Sequence, residues 1–259
     1  MGEGLVFGAI GSSALVLGAV VGGRVQIPKR VLAAMLAFAS GALITALAFE
    51  LFEDSHEQGG LWRAGLGLMA GAVVFTVVSQ RLDRAAAGDR PDEDHGSDKL
   101  DKDAASQAEA PSHASVTGSA GLALLAAVTL DGVPENIALG VSVGEGTGGV
   151  ALLAAIFVSN FPEALVGSAS MRAQGRSQGF IVGVWFGCAV LLAVAVAVGA
   201  GPLSNADPKT LSWPLAFAAG AVLASLADTL MPEAYEDGGP AVALSTAAGF
   251  VLSYVLATL

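Results

Sequence analysis

The chain has 259 residues, of which 54% are apolar and only 14% charged. Soluble domains carry about 25% charged residues, so a water-facing globule is excluded. The net charge of -11 sits in short stretches between apolar runs, and no basic patch interleaved with aromatics is present to take nucleic acid.

Eight apolar stretches follow one another, at 4–23, 32–52, 61–80, 116–144, 148–171, 178–200, 211–232 and 241–258. Each supplies about the 20 residues that a helix needs to cross a bilayer, and the fourth is longer. The expected fold is all-α: a polytopic membrane protein of eight transmembrane helices, in one domain over 1–259. The 34 glycines suit close helix–helix approach in lipid. The first stretch follows Glu3 and lacks a positive leader, so no cleaved signal peptide is expected. Segment 81–115 is rich in Asp, Ala and Ser and nearly devoid of apolar bulk. It cannot bury a core and is expected to be a flexible acidic loop. Cys188 is the lone cysteine, which excludes an intrachain disulfide.

Lys and Arg set the expected orientation. Arg24, Lys29, Arg30, Arg81, Arg84, Arg90, Lys99, Lys102, Arg172 and Arg176 fall on one side, against Arg63 and Lys209 on the other. The positive-inside rule puts the first group in the cytoplasm. Both termini are then extracytoplasmic, loop 81–115 is cytoplasmic, and the expected location is a cell membrane crossed many times. Ala37–Asp54 aligns without gaps on Ala216–Glu233, with eight of eighteen positions identical. These copies lie in the second and seventh stretches, which cross in opposite directions. An inverted repeat is therefore expected, with stretches 1–3 and 6–8 around helices 4 and 5.

The chemistry lies in those two central helices. The fourth carries Asp131-Gly132-Val133-Pro134-Glu135-Asn136 and the fifth Ser159-Asn160-Phe161-Pro162-Glu163-Ala164, each near the middle of its stretch. Asp131 and Glu135 are four apart and share a helix face, as Ser159 and Asn160 do with Glu163. Pro134 and Pro162 are expected to kink their helices, because proline removes one N–H and frees the carbonyl four residues earlier, here Leu130 and Val158. A charge at the bilayer centre costs about 2.5–3.5 kcal/mol on insertion scales. No Lys or Arg lies in either helix to offset it. Protons or a bound cation remain as compensation, and a divalent cation held by oxygens satisfies every group at once. Glu50, Asn136 and Asp228 lie at depths suited to a transport pathway. Glu53, Asp54, His56 and Glu57 at one end, and Glu233, Glu236 and Asp237 at the other, form acidic rims. Such rims attract cations or simply solvate helix ends.

These residues resemble the ZIP family of divalent metal transporters, whose fourth helix reads H-N-x-P-E-G and whose fifth reads [HQ]-[EN]-x-P-[EH]-[EG]. The resemblance implies a metal site midway through the membrane, worked by alternating access, with helices 1, 4, 5 and 6 moving against 2, 3, 7 and 8. Carried over by position, Glu135, Asn160 and Glu163 match the family's ligands. Asp131 stands where the family has His, and Ser159 where it has His or Gln. Gly132 and Asn136 also depart from the pattern, and the sixth stretch lacks the Glu that bridges a second metal in many members. His56, His95 and His113 all fall in loops, so the expected site is all-oxygen. Carboxylate and carbonyl ligands suit harder ions than imidazole and thiolate do, which implies a weakened zinc preference with Mn or Fe tolerated.

The substrate is thus expected to be a divalent metal ion (Zn, Fe or Mn), with no prosthetic group and no enzymatic activity. Expected partners are metal ions and membrane lipid, not nucleic acid, and a homodimer is compatible with the reading. Two alternatives stay open: a transport-inactive sensor or scaffold, and a proton-coupled carrier of another cation. No phosphate-binding P-loop occurs, and serine hydrolysis is not expected.

Overall fold

The computed structural model describes residues 2–25, 27–87, 120–146 and 149–258. They are helical throughout, with no strand among the described residues: α1 (Gly2–Gly22), α2 (Lys29–Ala46), α3 (Glu53–Ala87), α4 (Ala120–Glu145), α5 (Val150–Ala173), α6 (Gln178–Val198), α7 (Pro208–Ser225), α8 (Met231–Gly238) and α9 (Val242–Ala257). Local chemistry explains several starts. Asp207 accepts from the Lys209 N–H at 3.2 Å, with Pro208 at the first helical position. Ser177 likewise accepts from the Phe180 N–H at 3.3 Å. Helix α3 runs on to Ala87, so the loop expected from residue 81 begins later; residues 88–119, the bulk of that loop, lie outside the described residues.

Among the described residues, five helical stretches are long and apolar enough to cross a membrane: Gly2–Gly22, Lys29–Arg81, Val150–Ala173, Gln178–Leu203 and Pro208–Ala257. The second and fifth, at 53 and 50 residues, far exceed one crossing. Each is folded at a glycine. Gly60 has φ 77° and ψ 164°, and Gly239 has φ 59° and ψ −153°. Those backbone conformations are open essentially to glycine alone, because a Cβ would strike the neighbouring peptide.

The two long stretches match in backbone detail at one constant offset. Residue n of the first corresponds to n + 179 of the second. Helix α2 starts at Lys29 and α7 at Pro208; they end at Ala46 and Ser225. Each then widens into a π-helical turn, Leu47–Phe52 in one and Leu226–Leu230 in the other. Gly60 and Gly239 obey the same offset.

Packing repeats the correspondence. Helix α2 packs on α9 and α5, while α7 packs on α3 and α4. Helix α1 packs on α5 and α6, and α6 packs on α1 and α4. Exchanging α1 with α6, α2 with α7, α3 with α9 and α4 with α5 returns the same set of neighbours. Glycines make the closest approaches. A Cβ on Gly41 would strike the Thr246 carbonyl, and one on Gly220, at the 179 offset, would strike that of Leu68. The main apolar core lies between α2, α4, α5 and α7, around Leu43, Ala46, Leu139, Leu152, Ile156, Leu215 and Val222.

Candidate metal site between helices 4 and 5

Both Pro-Glu turns lie inside unbroken helices. Pro134 is within α4 and Pro162 within α5, and neither interrupts its helix. Each withholds the N–H that would reach the carbonyl four residues back. The two turns are seated alike. The carbonyl of Leu165, two residues after Glu163, faces Gly22 of α1; the carbonyl of Ile137, two residues after Glu135, faces Gly199 beyond α6. Thus the two motifs, 28 residues apart, occupy corresponding places in the exchange of α1 with α6.

That seating fixes which way the carboxylates look. Phe161 and Leu165 carry the carbonyls nearest α1, through Gly18 and Gly22. Glu163 is two residues from each, about 200° round the helix, and so looks away from α1. Gly140 and Ile137 turn α4 to α6, and Gly132 meets Leu192 of α6; Glu135 lies about 140° and 200° round the helix from the first two and about 60° from Gly132, to one side of that seam. Glu135 is 5% exposed and Glu163 7%, with Ser159 and Asn160 at 2% each and Asn136 at 0%.

Two amide side chains beside the Pro-Glu turns, Asn136 and Asn160, each keep a buried atom without a hydrogen-bond partner among the described residues. Asn136 Nδ2 donates to the Gly132 carbonyl at 2.8 Å, and Ser159 Oγ donates to that of Ile156 at 3.1 Å. The unmet atoms are Asn136 Oδ1 and Asn160 Nδ2. Buried polar atoms normally find a partner, so an unmet one marks a place for water or an ion. Among the described residues no three His, Cys, Asp or Glu side chains converge to hold a metal. The Asp131 side chain, expected as a third carboxylate, lies outside the described residues. The described part of the set is therefore two carboxylates with an amide and a hydroxyl.

The pathway residues fall in different settings. Glu50, half-buried after α2, accepts from the Leu152 N–H in the first turn of α5 at 3.2 Å. Asp228 is exposed and accepts from Ser79 of α3 at 3.1 Å, so its bond runs to α3 and not to the Pro-Glu helices. At the Glu50 end, Gln58 Nε2 donates to both oxygens of Glu145, at 3.3 and 3.2 Å. The sequence reading passed over Glu145. Its signal was an acid in the last turn of a helix, where the dipole disfavours negative charge and a donor is needed. Asp54, in the first turn of α3 and ahead of the break at Gly60, has its pKa raised from 3.8 to about 6. Burial is the main cause, followed by the charges of Glu145, Glu57 and Glu53.

On the Pro134 side of α4 an apolar cavity of about 600 Å³ separates it from α3 and α7, lined by Val74, Phe75, Val78, Val133, Pro134 and Phe217 among others. Although serine hydrolysis is not expected, Gly140-Val141-Ser142-Val143-Gly144 has the spelling G-x-S-x-G. It lies inside α4, where Ser142 Oγ donates to the Ala138 carbonyl at 3.3 Å. A nucleophile elbow needs a sharp strand-to-helix turn, which this helix does not provide.

Compared with protein-family models and with curated proteins, the chain matches none.

Proposed function

We propose that the chain is a ZIP-like carrier of divalent metal ions in a cell membrane. The observation that carries the reading is the matched seating of two Pro-Glu turns. Each carries a buried glutamate on a helix held against its neighbour by a glycine. Carboxylates so placed are too costly to keep for packing alone, and a cation offsets their charge. The ion is bound by Glu135 and Glu163 with Ser159, Asn160 and Asp131, and it passes Glu50 and Asn136. Alternating access follows from an inverted repeat in which α1–α3 and α6–α9 cross in opposite senses. The constant 179-residue offset and the exchange of packing partners support that reading. The apolar cavity beside Pro134 supports it too, since it leaves α4 room to move against α3 and α7. Eight crossings, extracytoplasmic termini and a cytoplasmic segment 81–115 complete the topology.

Uptake into proteoliposomes tests the proposal. Protein-dependent entry of Mn²⁺ or Zn²⁺ is expected, with loss of at least about tenfold in Glu135→Ala and Glu163→Ala, as befits removal of a charged ligand. With an all-oxygen site, Zn²⁺ competes with Mn²⁺ within about tenfold. Zinc dominance by orders of magnitude would contradict the ligand assignment. Metal binding without uptake would favour the sensor reading.

A further inference from the structure

The space between the Glu135–Glu163 level and the Glu50 end is filled by apolar side chains. Leu139, Leu152, Ile156 and Leu215 are each 0% exposed, and Ala155 is 1% exposed. Over this plug, two polar contacts join the α2–α3 hairpin to the α4–α5 hairpin. Glu50 Oε2 accepts from the Leu152 N–H, and Gln58 donates to Glu145. The first of these is a cap. Leu152 lies in the first turn of α5, where N–H groups have no partner within the helix, and Gly149, preceding that turn, has no side chain to offer. Glu50 supplies the missing acceptor from another hairpin.

The repeat shows that this contact is particular to one end. At the 179 offset Glu50 corresponds to Thr229, whose Oγ1 donates to Ser225 of its own helix at 2.7 Å. Gln58 corresponds to Asp237, which pairs with Lys29 of α2 at 3.2 Å. Among the described residues neither counterpart is bonded to α4 or α5. The scaffold thus differs between its two halves at the positions that face the ends of the moving hairpin.

We infer that Glu50 is the latch of the mouth at its own end: by capping α5 it holds the α4–α5 hairpin closed over the plug and sets how readily that mouth opens. It is a positioning residue, distinct from the ligands. The inference deepens the carrier reading and rests on it.

A cysteine reporter tests it. Ala155→Cys is placed in the plug in a Cys188→Ala background, and its reaction with a membrane-impermeant thiol reagent is timed from the Glu50 side of intact cells. Labelling is expected to be slow with Glu50 present and about tenfold faster in Glu50→Leu, which cannot cap. In Glu50→Gln, which keeps an acceptor oxygen, it stays close to the slow rate. A scaffold reporter, Ala39→Cys, which is 0% exposed on α2, stays unlabelled in every variant. Equal rates in Glu50→Leu and wild type overturn the latch, as does labelling of Ala39→Cys, which would show general loosening. Metal uptake by the same variants separates the two levels. Unchanged labelling with intact uptake removes the latch and leaves the carrier. Faster labelling with no uptake by any protein, wild type included, keeps the latch and removes the carrier.

Discussion

At the scale of single residues, the acids divide by what surrounds them. Glu135 and Glu163 are enclosed among helices, at 5% and 7% exposed. Glu50 and Glu145 are held by donors at the bundle end. Asp54, beside them, is crowded and partly buried, which pushes its pKa to about 6. Folding favours its protonated form, so its stabilising share is complete below the unfolded value near 3.8 and is lost as pH rises through about 6. Asp54→Asn is expected to melt higher than wild type at pH 7 and to gain less on acidification to pH 5. Thermal melts across that window check this; identical pH profiles would contradict it.

At the scale of elements, the scaffold pairs are joined by main-chain contacts that glycine and serine permit. Ser55 Oγ donates to the Ser212 carbonyl at 2.7 Å, and Ser212 Oγ returns to that of Ser55 at 2.8 Å. The corresponding positions at the 179 offset are Ala234 and Ala33, both 1% exposed, so the other end makes the same approach without hydroxyls. The two hydroxyls also lie 3.1 Å apart, so each serine bonds both the main chain and the side chain of the other. Ser55→Ala and Ser212→Ala should each cost about 1 kcal/mol. Because the hydroxyls share a contact, the double variant should depart measurably from the sum in a double-mutant cycle of unfolding. Strict additivity would contradict that account. Elements were well marked in the sequence. The apolar stretches fall on the helices within a few residues where they are described, except that α3 begins at Glu53, eight residues before its stretch, and runs on to Ala87, and that the seventh stretch continues to Gly238. The π turns after α2 and α7 were not legible, because a widened turn has no residue signature and appears only when carbonyl partners are known.

At the scale of the whole molecule, the 179-residue correspondence was visible in the sequence only where residues are still alike, over Ala37–Asp54 and Ala216–Glu233. Its reach to the helix starts and to Gly60 and Gly239 rests on backbone shape, which dissimilar residues such as Lys29 and Pro208 satisfy equally. The two Pro-Glu motifs could be read as a pair from spelling. Their glycine backing could not, since Gly22 and Gly199 lie far from them in the chain. The contact of Glu50 with Leu152, 102 residues apart, was hidden for the same reason. The expected topology gives one further outcome. With Cys188 replaced by Ala, Glu57→Cys should label from outside intact cells and Arg84→Cys only after permeabilisation. The reverse pattern would invert the orientation.

The central claim is that Glu135 and Glu163 hold a metal ion between α4 and α5. Metal content of the purified, reloaded protein, measured by elemental analysis after desalting, addresses it most directly. The account predicts Mn²⁺ or Zn²⁺ bound in stoichiometric amount by wild type and lost from the Glu135→Ala/Glu163→Ala double variant, with its melting behaviour in metal-free buffer retained. Equal metal in both proteins, or none in wild type, would contradict it.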